Sequence, residues 1–371
     1  MEKAISRMFN KVRVLLAIVL IISLKGVKAQ SGSEVLDPAG FVTKYNPNFK
    51  GIGPEVYNLP APRTKEEVLV DSYKEKNSFY DSIARQLDYQ NLIEEFQQTS
   101  NSSYLIQQFQ PFPNSAEKWM DLINSLKRNN NTRLAAGLLN VYALEATKQN
   151  DIKKSIALLA EALGLIQNTE FKADASIVQF NLANAHLYQR SFSDADALQE
   201  QYLQKAIDSK RITDQANSLV QAGLIRAHQK EYKAAENSII RRAIPIYNKT
   251  KDFSGKTKAW IQLAKIYQLQ NKHTEAQWFL IQARDLANSK NFKMDLPEIE
   301  YMLGYSKFMQ QNYRVAKLEL EKAKTLADGE NNKALQLAIH DKLGEIDMIM
   351  GNYESAEAHL SEYWKLRKEL F

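Results

Sequence analysis

The sequence predicts an all-α protein in which residues from about 130 to 371 form six helix–turn–helix repeats, an α-solenoid. Leu, Ile, Ala, Lys, Gln and Glu dominate the composition. Only 13 Gly and 9 Pro interrupt the 371 residues, and most of them precede residue 114. The rest of the chain therefore lacks the frequent turn signals of a strand-rich fold. A pattern of small and large residues also recurs about every 40 residues along this part.

The first residues are predicted to form an export signal. A basic start up to Arg13 precedes the apolar run Val14–Leu24, and the small-x-small pattern Val27-Lys28-Ala29 stands before Gln30. This apolar run is too short to span a bilayer comfortably. We therefore interpret residues 1–29 as a cleaved secretory signal peptide, after whose removal no stable membrane span remains. A retained N-terminal anchor is the alternative.

Charge and cysteine content narrow the function classes. The predicted signal carries six of the 49 basic residues and one of the 43 acidic ones, so the remainder has a formal charge near +1. Nucleic-acid binding thus loses its support from overall charge. The chain has no Cys, which excludes disulfides, thiolate chemistry and a bacterial lipoprotein anchor. Secretion without disulfides favours export in a bacterium, to the periplasm or the cell exterior.

Two regions separate the signal from the repeats. Residues 30–63 are rich in Pro and Gly, which disfavour both helices and sheet ladders, so we predict an extended leader. Its recurring aromatic residues leave open whether it is a free linker or a strap along the helical body. Thr64 and Glu67 form a capping-box pattern, from which an amphipathic stretch runs to about Gln98. A second helix follows Pro113, and we predict that residues 64–130 form an N-terminal helical cap.

The repeats keep several columns of residues in register. A small residue recurs at spacings of 40 or 41, and a larger residue generally stands 16 positions after it. Two helices approach closely only where a side chain is small, and a large side chain of the partner helix fills the gap beside it. The small column comprises Ala143, Ala183, Gly223, Ala264, Gly304 and Gly344, and the larger one Leu159, Gln199, Ile239, Leu280, Leu320 and Leu360.

These columns resemble the tetratricopeptide repeat (TPR). The resemblance rests on Trp260-x-x-Leu263-Ala264-x-x-Tyr267 and on Leu343-Gly344 followed by Tyr353-x-x-Ala356-x-x-x-Leu360, and it covers residues 134–371. It implies a right-handed α-solenoid of six antiparallel helix pairs in residues 131–371. The usual period is about 34 residues. We expect the extra residues here to lengthen helices and the inter-repeat loops, at 168–171, 250–253 and 289–292.

Motifs for catalysis are weak, so we predict no enzyme activity, no cofactor and no metal site. Ser115-x-x-Lys118 has the spacing of penicillin-recognising enzymes but lacks their companion motifs, so an ordinary helix start is the better interpretation. Residues 254–257 resemble the end of a phosphate-binding loop, yet Thr250 replaces the required Gly, which favours an inter-repeat loop. The five histidines show no metal-ligand spacing.

The TPR resemblance implies that the first helix of each pair lines the concave groove. Residues three before and one after the small position, and those one turn further along the helix in either direction, should then face a partner. The same rule places Asp341 and Glu345 there. Asn side chains can pair with a peptide backbone, and Tyr side chains supply flat apolar contacts. Contact with the neighbouring repeat is the alternative for several of them. The candidate partner-binding residues are Asn140, Asn184, Asn217, His228, Lys258, Lys265, Tyr301 and Tyr305.

The C-terminal helix ends without an obvious polar cap, which predicts an exposed apolar surface and possible self-association. Its apolar residues are Tyr363, Trp364, Leu366, Leu370 and Phe371.

These features predict an exported scaffold that binds a protein or peptide through the groove. The alternative is a sensory module that binds a signal peptide or small ligand and acts in trans on a membrane partner. An enzyme whose site would involve residues 64–130 is a third and weaker interpretation.

Overall fold

The computed structural model of the protein describes residues 62–371 and two short strands closer to the N-terminus. The chain divides after Val68 into two compact units, residues 1–68 and 69–371. The predicted signal peptide, residues 1–29, lies outside the described residues, and so does most of the predicted leader.

Part of that leader forms a sheet ladder, which corrects the expectation that Pro and Gly would prevent one. Strands β1 (Thr43–Asn46) and β2 (Glu55–Asn58) pair antiparallel, with Thr43 opposite Asn58. Neither strand contains Pro or Gly, and Pro47 and Pro54 stand just outside them in the sequence. The backbone N–H that each Pro lacks is therefore not needed for the hydrogen bonds between the strands.

The predicted capping box opens the first described helix. The Thr64 amide donates to the Glu67 carboxylate at 3.0 Å, and the Glu67 amide donates to the Thr64 hydroxyl at 3.2 Å. Two helix-start amides are thereby satisfied reciprocally, as the sequence pattern predicted.

In the part of the chain that the structure describes, four helices precede the repeats. The amphipathic stretch expected to run to Gln98 is two helices, because the amides of Ser78 and Phe79 bond three residues back and close the first one. Ser115 is an ordinary helix cap, as predicted, since its hydroxyl accepts the Lys118 amide at 3.4 Å. The helices are α1 (Lys65–Asn77), α2 (Tyr80–Glu94), α3 (Ser102–Phe109) and α4 (Ala116–Arg128).

Six antiparallel helix pairs follow, and consecutive helices pack against one another in a right-handed α-solenoid, as predicted. The first two pairs are α5 (Thr132–Lys148) with α6 (Ile152–Ile166) and α7 (Lys172–Tyr188) with α8 (Phe192–Asp208). In the third pair, α9 (Ile212–His228) packs with a second helix in three parts, which are α10 (Tyr232–Glu236), a π-helical segment (Asn237–Ala243) and α11 (Ile244–Thr250). The last three pairs are α12 (Phe253–Leu269) with α13 (His273–Lys290), α14 (Leu296–Met309, after a short 3₁₀ turn at Lys293–Asp295) with α15 (Tyr313–Glu330), and α16 (Lys333–Met350) with α17 (Tyr353–Leu370).

A left-handed residue near the end of most helices makes the sharp turns. Gly351 has a φ of 75°, and the amide of Asn352 then donates to the Asp347 carbonyl at 2.8 Å. This closure satisfies a carbonyl that the helix leaves open. The same conformation recurs about every 20 residues at Asn130, Asn150, Arg190, Lys210, Lys230, Lys251, Asn271, Asn291, Gln311 and Asn331.

The long repeat period comes mainly from long helices. The expected loops at 250–253 and 289–292 are shorter than predicted, because Thr250 ends α11, Phe253 begins α12 and residues 289–290 still belong to α13. Residues 251–252 and 291–292 remain outside the helices. Residues 254–257, expected in a loop, form the first turn of α12, where the Asp252 carboxylate accepts the Gly255 amide at 2.8 Å. Only the loop at 168–171 lies wholly between helices as expected.

Small residues allow the close helix approach that the columns predicted. A Cβ built on Gly223 would lie 2.8 Å from Ile239 Cγ1, and one built on Gly304 would lie 2.6 Å from Leu320 Cγ. Ile239 and Leu320 are the large residues 16 positions later, and both are fully buried. The large side chain therefore fills the space that the small residue leaves.

Both ends of the solenoid are covered by the N-terminal helices. Leu105 of α3 and Trp119 of α4 join the core of the first repeat, which confirms the predicted N-terminal cap. The expectation of an open apolar C-terminal end is wrong, because Tyr363 and Leu366 are buried in a cluster with Tyr73 of α1. The helix that caps this end comes from the other end of the chain. Phe371 remains 61% exposed there.

The last repeat contains a close histidine pair. The Nδ1 atoms of His340 and His359 lie 3.0 Å apart between α16 and α17. Burial lowers the pKa of His340 from 6.5 to about 4, and the positive charges of His359 and Lys324 act in the same direction. His340 therefore stays neutral in the fold at a pH where it is protonated in the unfolded chain.

Gly304→Ala should destabilise the protein by about 1–3 kcal/mol, because the added methyl group would collide with Leu320. Gly329→Ala is the control, since a Cβ there meets nothing within 4 Å. This change should be neutral or stabilise a helix interior by up to about 1 kcal/mol. Urea unfolding measures both. Equal free energies of unfolding for the two variants would contradict the packing described here.

The stability of the protein should fall as the pH drops below 6.5. Between pH 6.5 and 5 the unfolded chain binds a proton at residue 340 that the folded chain does not, which removes about 2 kcal/mol. His340→Gln should make the free energy of unfolding, measured with urea at pH 7.5 and pH 5, less dependent on pH. An equal loss in the wild type and the variant would assign the acid sensitivity to other groups.

Candidate binding groove

The first helices of the first two repeats and of the last repeat contact α2. This helix contacts α5 and α7 of the first two repeats and also α16 of the last repeat. It has 15 residues and is therefore about 22 Å long. A straight helix of that length touches both ends of a solenoid only if the solenoid curves around it. The channel lined by the first helices, which we call the groove, thus holds a segment of the same chain.

At the first two repeats, two asparagines bind the main chain just after α2. The Asn181 amide group accepts the Gln97 N–H at 2.8 Å and donates to the Gln97 carbonyl at 2.8 Å. Asn140 donates to the same carbonyl at 3.2 Å and accepts from Asn181 at 2.9 Å. Both asparagines are buried. They therefore bind both main-chain groups of one residue, with no contribution from the Gln97 side chain.

A carboxylate extends this main-chain contact by three residues. Asp174 accepts the Ser100 amide at 2.8 Å and the Ser100 hydroxyl at 2.9 Å. Arg133 donates to Asp174 at 3.1 Å and to the Ser100 hydroxyl at 2.7 Å. The segment from Gln97 to Ser100 is thus bound by side chains of α5 and α7 along its length.

At the last repeat, Lys76 of α1 binds two carboxylates. Its ammonium group donates to Asp341 and, at 2.9 Å, to Glu345. The rings of Tyr73 and Tyr363 lie 5.4 and 5.5 Å from the same nitrogen. The Lys76 side chain is only 1% exposed, so this cation is bound by charge and by aromatic faces in a site shielded from water.

Glycine makes room for this contact. The Tyr73 hydroxyl donates to the Ala356 carbonyl at 2.8 Å, and a Cβ built on Gly344 would lie 2.1 Å from that hydroxyl. In the sixth repeat, the space beside the small residue is therefore filled by a tyrosine of α1. Beside Gly223 and Gly304 the same space is filled by an aliphatic side chain of the paired helix. Lys342 also bonds to Asp341 and Glu345, each at 3.0 Å.

Between these two ends the groove is lined with opposite charges and reaches solvent. Burial raises the pKa of Glu95, and Lys265 and Lys258 oppose that rise. Asp88 reaches solvent, yet the surrounding groove limits its hydration and thereby raises its pKa. The positive charge of Lys265 acts in the opposite direction and lowers it. Burial would lower the pKa of Lys265, but Glu298 at 2.8 Å and the two carboxylates of the α2 segment raise it.

The predicted partner-binding residues fall into three groups, and whether they contact a partner stays a prediction. Asn140 and Asn184 are buried, and Asn217 accepts the Tyr247 hydroxyl at 2.7 Å. Asn140 and Asn217 are therefore hydrogen-bonded within the fold. His228 and Lys258 are exposed and Lys265 is half-buried. Tyr301 and Tyr305 stack with ring centroids 6.3 Å apart.

The sequence rule missed the strongest contacts. It considered positions three before and one after each small residue and those one turn beyond them, whereas Asn181 stands two before Ala183. It did place Asp341 and Glu345 in the groove, and both face Lys76. The acidic residues Asp88 and Glu95 of the amphipathic stretch could have indicated that α2 lies in the groove, because the predicted groove residues include lysines.

Two further features concern the described part of the chain. Within residues 62–371, no helix is long and apolar enough to cross a membrane. In the same range, no group of three or more His, Cys, Asp or Glu side chains could hold a metal ion.

Comparisons with known proteins support the fold. No protein-family profile and no curated protein sequence matches this chain. A Rap protein solved in complex with Competence and Sporulation Factor is 11% identical, covering 82% of this chain and 99% of its own, with a TM-score of 0.51. Aspartyl phosphate phosphatase F from Bacillus subtilis is 15% identical over 82% of this chain and 76% of its own, with a TM-score of 0.51.

The C-terminal part of a TPR repeat-containing protein from Cytophaga hutchinsonii is 12% identical over 71% of this chain and 93% of its own, with a TM-score of 0.41. At these identities, likeness shows the fold alone. The two structures with a TM-score of 0.51, together with the six helix pairs and their columns of small and large residues, establish the architecture. The chain has a helical repeat fold of the tetratricopeptide type.

Proposed function

We propose that this protein is exported and binds a protein or peptide partner through the groove of its solenoid. The observation that carries the proposal is the pairing of Asn181 with both the N–H and the carbonyl of Gln97. A side-chain amide that pairs with the N–H and the carbonyl of one residue in this way suits any extended main chain. The groove therefore has the chemistry of a peptide-binding surface.

The exposed centre of the groove supplies the charge for recognition. Lys258 and His228 reach solvent, and Lys265 is partly accessible beside Glu298. Such groups can steer an acidic partner without the cost of removing a charge from water. A Rap protein of the same fold has been solved in complex with Competence and Sporulation Factor, which is in keeping with a binding role. We assign the groove binding and no catalysis.

Export rests on residues 1–29, with their basic start, apolar run and small-x-small pattern. A bacterial periplasm or cell surface also suits a chain without Cys.

Lys258→Glu together with Lys265→Glu should abolish capture of the partner from periplasmic and secreted material, because the groove would then repel acidic groups. Lys322→Glu with Lys365→Glu is the matched control, since both side chains are exposed on second helices. Affinity capture followed by mass spectrometry compares the two variants with the wild type. The same partners on all three would show that the groove is not the binding surface. Capture of no protein by any of them would favour the small-ligand sensor instead.

Expression of the full chain in a Gram-negative bacterium should yield a periplasmic or secreted protein whose first residue is Gln30. Val19→Arg interrupts the apolar run and should leave the chain uncleaved in the cytoplasm. Cell fractionation and mass spectrometry of the intact protein measure both outcomes. An intact N-terminus on the wild-type protein in the membrane fraction would favour a retained anchor and contradict cleavage.

A further inference from the structure

We propose that α2 occupies the groove as a ligand in cis, held there by Lys76, and that the external partner is an acidic amphipathic helix that replaces it. The inference rests on the proposed binding function and names both the class of partner and the competitor that the partner must displace. Four features of the described residues support it: shallow burial, matched charge, an N-terminal anchor at Lys76 and an intact solenoid beneath.

Shallow burial distinguishes α2 from the helices of the solenoid. Among its side chains that the structure describes, only Ile83 and Leu92 are buried. The first helix of the first repeat, α5, buries most of its side chains, with Ala136, Leu139 and Ala143 fully shielded. Fully burying an aliphatic side chain contributes about 1.5–3 kcal/mol. These two side chains, with the partly buried Leu87 and Tyr89 packed beside them, give α2 a smaller contact with the core than α5 has.

Charge on α2 and just after it matches the groove. Asp88 and Glu95 stand seven residues apart, about 10.5 Å along a helix. Both lie near Lys265, and Glu95 also lies near Lys258 and accepts a hydrogen bond from Gln221 at 3.3 Å. An external helix with two carboxylates at this spacing would meet the same lysines. The apolar positions of Ile83 and Leu92 on the partner would complete the match.

One end of α2 is held through α1. Only Ser78 and Phe79 separate the two helices, so displacement of α1 pulls on α2. The Lys76 contacts with Asp341 and Glu345 are shielded from water, and a like charge at position 76 would be repelled there. Arg367 adds a hydrogen bond to the Ser82 hydroxyl at 2.8 Å. Lys76 is thus the residue whose change releases the N-terminal end of α2. The C-terminal end continues into the segment from Gln97 to Ser100, which side chains of α5 and α7 bind.

The surface beneath would remain formed after release. The six helix pairs pack on one another through the small and large columns, and α2 supplies none of these residues. Released Asp341 and Glu345 would keep Lys342 as a partner. The vacated groove would therefore present its lysines and asparagines to a helix supplied from outside.

The test uses the full chain carrying Lys76→Glu and Ile83→Asp, which we call the release variant. The matched control carries Lys74→Glu and Ala84→Asp, which make the same charge changes at exposed positions of the same two helices. A fluorescent synthetic peptide of residues 79–98 is the probe, and anisotropy measures its binding. Hydrogen exchange of residues 80–94 reports whether the cis helix has left the groove.

The peptide should bind the release variant about tenfold or more tightly than the control, because the tethered copy otherwise competes at high effective concentration. A peptide with Asp88→Lys and Glu95→Lys should lose about tenfold or more in affinity for the release variant. Exchange of residues 80–94 should be faster in the release variant than in the control.

Several results would overturn the inference. They are equal peptide affinity for both variants, equal affinity of the two peptides, no binding to a release variant whose α2 exchanges freely, and slow exchange in the release variant.

If the release variant fails to fold, the full chain with Asp88→Lys and Glu95→Lys replaces it, since the solenoid residues are again untouched. Failure of this inference can be told apart from failure of the proposed function. If the partner is lost from the Lys258→Glu/Lys265→Glu variant but captured equally by the release variant and the wild type, the groove binds a partner but α2 does not compete with it.

Discussion

The close approach of paired helices at one small residue per repeat is the constraint on which this structure depends. At Gly304 the neighbouring helix comes so near that Leu320 occupies the place of a side chain. Repeating this contact about every 40 residues gives each helix pair a similar rotation relative to the last. Six such steps curve the first helices around a channel that accommodates a single helix, α2. The channel and its contents thus follow from a spacing rule in the repeat.

The repeat and its packing were predictable because they are periodic. Columns such as Gly223 and Ile239 recur in register, and periodic burial requires them to meet. The arrangement of α1 and α2 was not predictable in this way. Lys76 meets Asp341 across 265 positions of sequence, and a single charged residue on an amphipathic helix carries no sign of such a distant partner. The capping box at Thr64 could be predicted because both of its members stand within one turn.

The asparagines show why residue type alone leaves a binding role open. Asn140 was predicted to meet a partner, and it does bind a main chain, that of Gln97 in the same protein. A buried amide must be satisfied, whether by its own chain or by another. The hydrogen-bonding geometry is the same in both cases. What separates them is how easily the occupant leaves, and that depends on the burial of α2 and on the Lys76 contacts.

Most solenoids are linear, so each repeat gains stability only from its neighbours and the ends can fray first. Here α1 covers the last repeat, α3 and α4 cover the first, and α2 joins the two through the groove. Opening either terminal repeat therefore disturbs a helix that also contacts the opposite end. The N-terminal helices turn an open chain of repeats into a ring of contacts, and unfolding becomes more cooperative than the repeat architecture alone would make it.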